Sequence, residues 1–151
     1  MDIGILYAIL TFFFTITIVN AINITDGLDG LVGGLMLIVL SVLGVITFLN
    51  QWYLATTVIG IVLGTLLAFL WFNINPAKIF MGDSGALALG GLIATLVYLL
   101  NIKFGIFIPF LILFAIFWVE IGSSFLQLTR KKFFKKKLFT IAPFHHSLEH
   151  K

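Results

Sequence analysis

Asn20-Ala21-Ile22-Asn23-Ile24-Thr25-Asp26-Gly27-Leu28-Asp29-Gly30-Leu31 is the first polar island in a very apolar chain. It separates the apolar runs Ile3–Ile22 and Leu31–Leu49, so it reads as a turn between two hydrophobic helices. Its two Asn and two Asp recur at a spacing of three. Residues three apart share a helical face, so Asn23 can meet Asp26, and Asp26 can meet Asp29. The whole set cannot stay on one straight helix, because a spacing of three drifts from the 3.6 repeat. Gly27 and Gly30 offer a break that would gather them. Carboxylate and amide oxygens are hard ligands suited to Mg²⁺. The plain alternative is a polar turn in which Asn and Asp serve as caps.

Working outward, the rest of the chain is of membrane grade. It has 151 residues, 61% hydrophobic and only 10% charged, with mean hydropathy +1.19. Soluble domains are nearer a quarter charged. Cysteine is absent, which excludes disulfides and thiolate metal sites. Met1-Asp2 lacks the basic region of a signal peptide. A helical span needs about 20 mostly apolar residues. Five stretches qualify: Ile3–Ile22, Leu31–Leu49, Leu54–Phe72, Ala86–Ile102 and Ile106–Leu126. None alternates like a barrel strand. The expectation is an all-α polytopic transmembrane bundle, one membrane domain over 1–151, with a basic, histidine-rich tail over 127–151.

Lysine and arginine orient the spans. One side collects Lys78, Arg130, Lys131, Lys132, Lys135, Lys136, Lys137 and Lys151, and the other only Lys103. The positive-inside rule makes the first side cytoplasmic and puts Met1 outside. Three polar stretches then share the cytoplasmic face: Asn20–Gly30, Asn73–Gly85 and Pro143–Lys151. That is how a membrane enzyme gathers a site at the interface.

The second stretch contains Asn73, Asn75-Pro76, Lys78, Phe80 and Gly82-Asp83-Ser84-Gly85. Pro76 ends the third helix. Asp83 suits a divalent metal, Lys78 a phosphate, and Phe80 a stacked base, while the structural alternative makes Asp83 or Ser84 an N-cap. The run Arg130–Lys137 is best read as an anchor to anionic lipid, and nucleic-acid binding is not expected of it. The last stretch holds all three histidines, His145, His146 and His150. Imidazole there can hold phosphate or metal. His146-Ser147-Leu148-Glu149-His150 also fits an inverted zinc-peptidase pattern, but no further ligand follows and the aspartates are left without a role. Glu120 sits inside the fifth span, roughly 15 Å deep, where a Ser or Asn packing partner is expected.

The three stretches NAINITDGLDGL, FNINPAKIFMGDSGALALGG and APFHHSLEHK together resemble the polyprenyl-phosphate N-acetylhexosamine-1-phosphate transferases. Within that family the resemblance is greatest to the bacterial phospho-N-acetylmuramoyl-pentapeptide transferase branch. It covers essentially the whole chain, in the family's order. The resemblance implies transfer of a phospho-sugar from its UDP form to undecaprenyl phosphate, with release of UMP and Mg²⁺ as cofactor. For the muramoyl branch the product is lipid I, in peptidoglycan synthesis at the bacterial cytoplasmic membrane. The N-acetylglucosamine-1-phosphate branch is the enzymatic alternative, and a non-catalytic membrane fragment the other. By the same resemblance Asp83, Asn23 and Asp26 hold the metal, and Asp83, Asp26 and His145 form the catalytic set. Gly27, Leu28, Asp29, Asn73 and Phe80 line the uridine pocket, Lys78 lies near phosphate, and His145 and His146 hold the diphosphate. Family members are about twice as long, with ten helices and an Asp-Asp pair that this chain lacks; Ser147 stands where the muramoyl branch has a third histidine. The chain therefore reads as the C-terminal half of a larger transferase, inactive alone, whose partner is the missing half or a second copy.

Overall fold

The computed structural model describes residues 3–134, and every regular element among them is an α-helix. The elements are α1 (Ile3–Thr25), α2 (Leu31–Leu49), α3 (Tyr53–Asn73), α4 (Gly82–Phe104), α5 (Phe107–Leu113) and α6 (Ala115–Phe134). The first four are each long and apolar enough to cross a bilayer. The expected fifth span is not one straight helix. α5 and α6 form a broken span bent by 70°, so the chain has four candidate spans, or five with the bent pair counted as one. It is a multi-pass membrane protein. Leu6, Phe12 and Phe13 on α1 and Leu54, Ile61 and Leu67 on α3 are all exposed, as side chains facing hydrocarbon can be without cost.

The chain divides into two compact units. The first comprises residues 1–27 and 82–151, and thus α1, α4, α5 and α6. Here α1 and α4 approach closely through Gly90, where a Cβ would lie 2.7 Å from Val19 Cα. An aromatic cluster lies beside them. Phe110 and Phe114 stack at 4.8 Å, Phe114 and Phe117 at 4.2 Å, and Phe14 of α1 meets Phe110 at 6.0 Å. Phe110, Phe114 and Phe117 are all buried. The mutual stacking of three rings within eight residues of chain is tertiary packing, which hydropathy alone does not show. The break between α4 and α5 is local: Gly105 takes φ 64, and the Phe107 amide donates to Asn101 Oδ1 at 3.1 Å.

The second unit, residues 28–81, is the α2–α3 hairpin and the loop that follows it. Gly33 lets the tip of Leu70 approach, and the Thr56 hydroxyl donates to Thr47 Oγ1 at 3.0 Å across the pair. Asn50 closes α2, with its backbone amide on Ile46 O, and α3 ends at Asn73, three residues before Pro76.

Candidate functional site

In the first unit, α1 delivers Asn23 and Asp26 at its end. The Thr25 hydroxyl turns back to Ala21 O, and the Asp26 amide donates to Ile22 O at 3.1 Å. The Gly27 amide then folds onto Thr25 O at 2.8 Å, which turns the chain. Asp26 thus sits at the carbonyl end of a helix, the end that disfavours an anion and favours a cation. Asp83 lies in the first turn of α4, entered through Gly82 at φ 65. That left-handed conformation is natural to glycine. Asp83 follows the start of α4, and no hydrogen bond caps the helix through it among the described residues. Asp83 is exposed and Asp26 half-buried. Burial, and then the charge of Asp83, push the Asp26 carboxyl above the usual carboxylate range.

A half-buried carboxylate at a helix C-terminus, with the charge of a second carboxylate acting on it, is a donor set that a hard divalent cation relieves. Asn23, three residues before Asp26, offers an amide oxygen on the same face. These residues fit Mg²⁺ chemically. Among the described residues no group of three or more Asp, Glu, His or Cys gathers, so the two aspartates stand with amide and backbone oxygens only.

In the second unit the aspartate is treated differently. Asp29 Oδ2 accepts from Asn75 Nδ2 at 3.2 Å and from the Ala77 amide at 3.0 Å. Asn73 is buried and engaged at both ends: its Oδ1 accepts from the Gly30 amide at 3.0 Å, and its Nδ2 donates to Ile79 O at 2.9 Å. The Lys78 amide closes on Phe72 O at 2.7 Å. The loop so fixed holds its ends out: Lys78 is exposed, and Phe80 is 74% exposed. An aromatic ring that open, on an ordered polar loop, is a face for stacking. Gly27 is exposed and Leu28 half-buried in the turn between α1 and α2. Sequence reading passed over Asn75 and the Ala77 amide; the Asn-Pro step marked a turn there, without naming Asp29 as its partner.

Glu120 is buried, as an intramembrane carboxylate should be. The Ser123 hydroxyl beside it donates to the Glu120 backbone carbonyl at 2.9 Å. His145 and His146, with Ser147, Glu149 and His150, lie outside the described residues, as does the basic run beyond Phe134.

Comparison with known proteins follows the same residues. A family model described as "Glycosyl transferase family 4" matches residues 1–101. Among curated proteins, the phospho-N-acetylmuramoyl-pentapeptide-transferase of Dictyoglomus thermophilum is 44% identical over 99% of this chain and 47% of its own length. The transferase of that name from Enterococcus hirae is 40% identical over 97% of this chain and 44% of its own length. That of Staphylococcus carnosus is 39% identical over 99% of this chain and 45% of its own length. The chain spans about half the length of the curated relatives it matches.

Proposed function

This chain belongs to glycosyl transferase family 4, and from that premise we propose that it is the C-terminal half of a phospho-N-acetylmuramoyl-pentapeptide transferase. In the reaction, the phosphate of a polyprenyl phosphate attacks the β-phosphate of UDP-N-acetylmuramoyl-pentapeptide. A new P–O–P bond forms to the lipid, the bond to UMP breaks, and UMP leaves. The observation that carries this reading is the pair Asp26, at the end of α1, and Asp83, in the first turn of α4, with the Asp26 carboxyl pushed up by burial and then by the charge of Asp83. Asp83, Asp26 and Asn23 would hold Mg²⁺, which when bound offsets charge on diphosphate oxygens. Phe80 offers its face to the uracil, and Lys78 its ammonium to phosphate. Gly27, Leu28, Asp29 and Asn73 shape the uridine pocket. His145, the third of the catalytic set, and His146 hold the diphosphate. Phosphoryl transfer of this kind is mostly positioning and electrostatics.

The same reading places the chain, as one membrane domain, in the bacterial cytoplasmic membrane, with Met1 outside and the polar stretches inside. Support comes from the eight basic residues on one set of loops against Lys103 on the other. Cysteines placed at Gln51 and Lys131 should label from opposite sides, and labelling of both from outside would overturn the orientation. The pair His145-His146 followed by Glu149 favours the muramoyl branch, and Ser147 in the third histidine's place departs from it; competition between the two UDP-sugars separates it from the branch that uses UDP-N-acetylglucosamine.

The functional test uses a chimera with this segment in place of the matching half of the Dictyoglomus thermophilum protein. Mg²⁺-dependent UMP release by the chimera, with none from the 151-residue chain alone, is the expected result. A folded, membrane-inserted chimera that releases no UMP would contradict the reading, and brisk release by the chain alone would contradict its dependence on the other half.

A further inference from the structure

We propose that Asn75 is a positioning residue for nucleotide binding: it ties the loop after α3 to Asp29, and so keeps the Phe80 ring presented. The inference rests on the reading of Phe80 as the base-stacking face. Phe80 is 74% exposed, so no packing against its ring decides where it points. Its direction comes from the backbone before it. That backbone is held at three successive points: Asn75 Nδ2 and the Ala77 amide on Asp29 Oδ2, at 3.2 and 3.0 Å, and Ile79 O on Asn73 Nδ2, at 2.9 Å. Asp29 and Asn75 lie 46 residues apart, so their bond closes a loop that local sequence does not close by itself. Asn75 is exposed, so its amide could equally be satisfied by water; the bond matters for the loop's order and not for relieving a buried group. A ring fixed before binding spares the ligand the entropy of ordering it. Replacing Asn75 by Asp puts a carboxylate against the Asp29 carboxylate and releases the loop.

The test uses the whole chain in lipid nanodiscs, with two readouts: hydrogen exchange at the Ala77 amide, and the dissociation constant for UDP. Asn75→Asp should speed Ala77 exchange and weaken UDP binding, each by about tenfold, with α2 and α3 amides unchanged. Asn75→Ala should do the same to a smaller extent. The reciprocal exchange Asp29→Asn with Asn75→Asp restores one donor facing one acceptor, and should return Ala77 protection. Unchanged exchange in Asn75→Asp would overturn the latch. Faster exchange with unchanged UDP affinity would overturn the positioning role. An unsubstituted chain that binds no UDP, yet shows the exchange response, would locate the failure in the nucleotide reading, and the positioning role would fall with it.

Discussion

Asp26 and Asp29 are three residues apart, and the molecule treats them oppositely. Asp29 is saturated on one oxygen by two donors from a distant loop. Asp26 is half-buried at a helix C-terminus, with Asp83 raising its proton affinity. The first arrangement is a scaffold that stabilises a carboxylate. The second leaves a carboxylate in an environment that only a proton or a cation improves. An ionised carboxylate in the second arrangement costs stability, and a bound cation would offset that cost.

The sharpest way to break this contrast is to neutralise each aspartate in the chimera. Asp26→Asn is expected to lower UMP release by about a thousandfold or more, since members of a catalytic set act as a unit. Asp29→Asn keeps an oxygen that can accept both loop donors, and is expected to cost about tenfold or less. Equal losses would erase the distinction between scaffold and site.

The pH dependence sharpens it further. Because the Asp26 pKa is raised on folding, the folded state holds that proton more tightly than the unfolded state. The stability this contributes is fully present below the ordinary carboxylate pKa, and is lost as pH rises through the raised one. Without divalent cation, Asp26→Asn should therefore melt a few degrees above the parent chain on the alkaline side of that window, and match it on the acid side. Mg²⁺ should close the gap, and its affinity for the parent should fall as pH drops through the same window, because metal and proton compete for one carboxylate. A parent whose Mg²⁺ affinity ignores pH there would remove Asp26 from the metal.

Much of this was legible in the sequence, and the exceptions have physical causes. Four spans follow from hydropathy, because a bilayer demands about 20 apolar residues whatever the tertiary packing. The bend before Ala115 escaped, because the run through it is apolar and hydropathy does not distinguish a straight span from a broken one. The polar islands were visible as islands, and the side-of-membrane argument grouped Asp26 with Asp83. The tie from Asp29 to Asn75 was not visible, since nothing local links residues so far apart. Asn73 was expected in the uridine pocket from the family resemblance; its ties to the Gly30 amide and Ile79 O are contacts that the sequence did not show.

The two units also differ in how their helices touch, which gives the smallest expected effect. Gly90→Ala would drive a Cβ into the backbone of Val19, and should cost about 1–3 kcal/mol in the first unit. Gly33→Ala in the second unit meets the tip of the Leu70 side chain, which can rotate away, and should cost under about 1 kcal/mol. Thermal midpoints of the two variants in one detergent compare them directly; a larger loss for Gly33→Ala would reverse the account of which interface is rigid.

The central claim, that Asp83 and Asp26 form a metal-dependent phosphotransfer centre, is tested most directly by Mg²⁺ titration of UMP release in the chimera carrying Asp83→Asn. Asn is about as good at a helix N-terminus as Asp, so fold and membrane insertion should persist. The account predicts turnover lower by orders of magnitude at every Mg²⁺ concentration, because the amide lacks the charge that holds a hard cation. Near-normal turnover with an unchanged Mg²⁺ dependence would contradict it and return Asp83 to the role of an exposed residue in the first turn of α4.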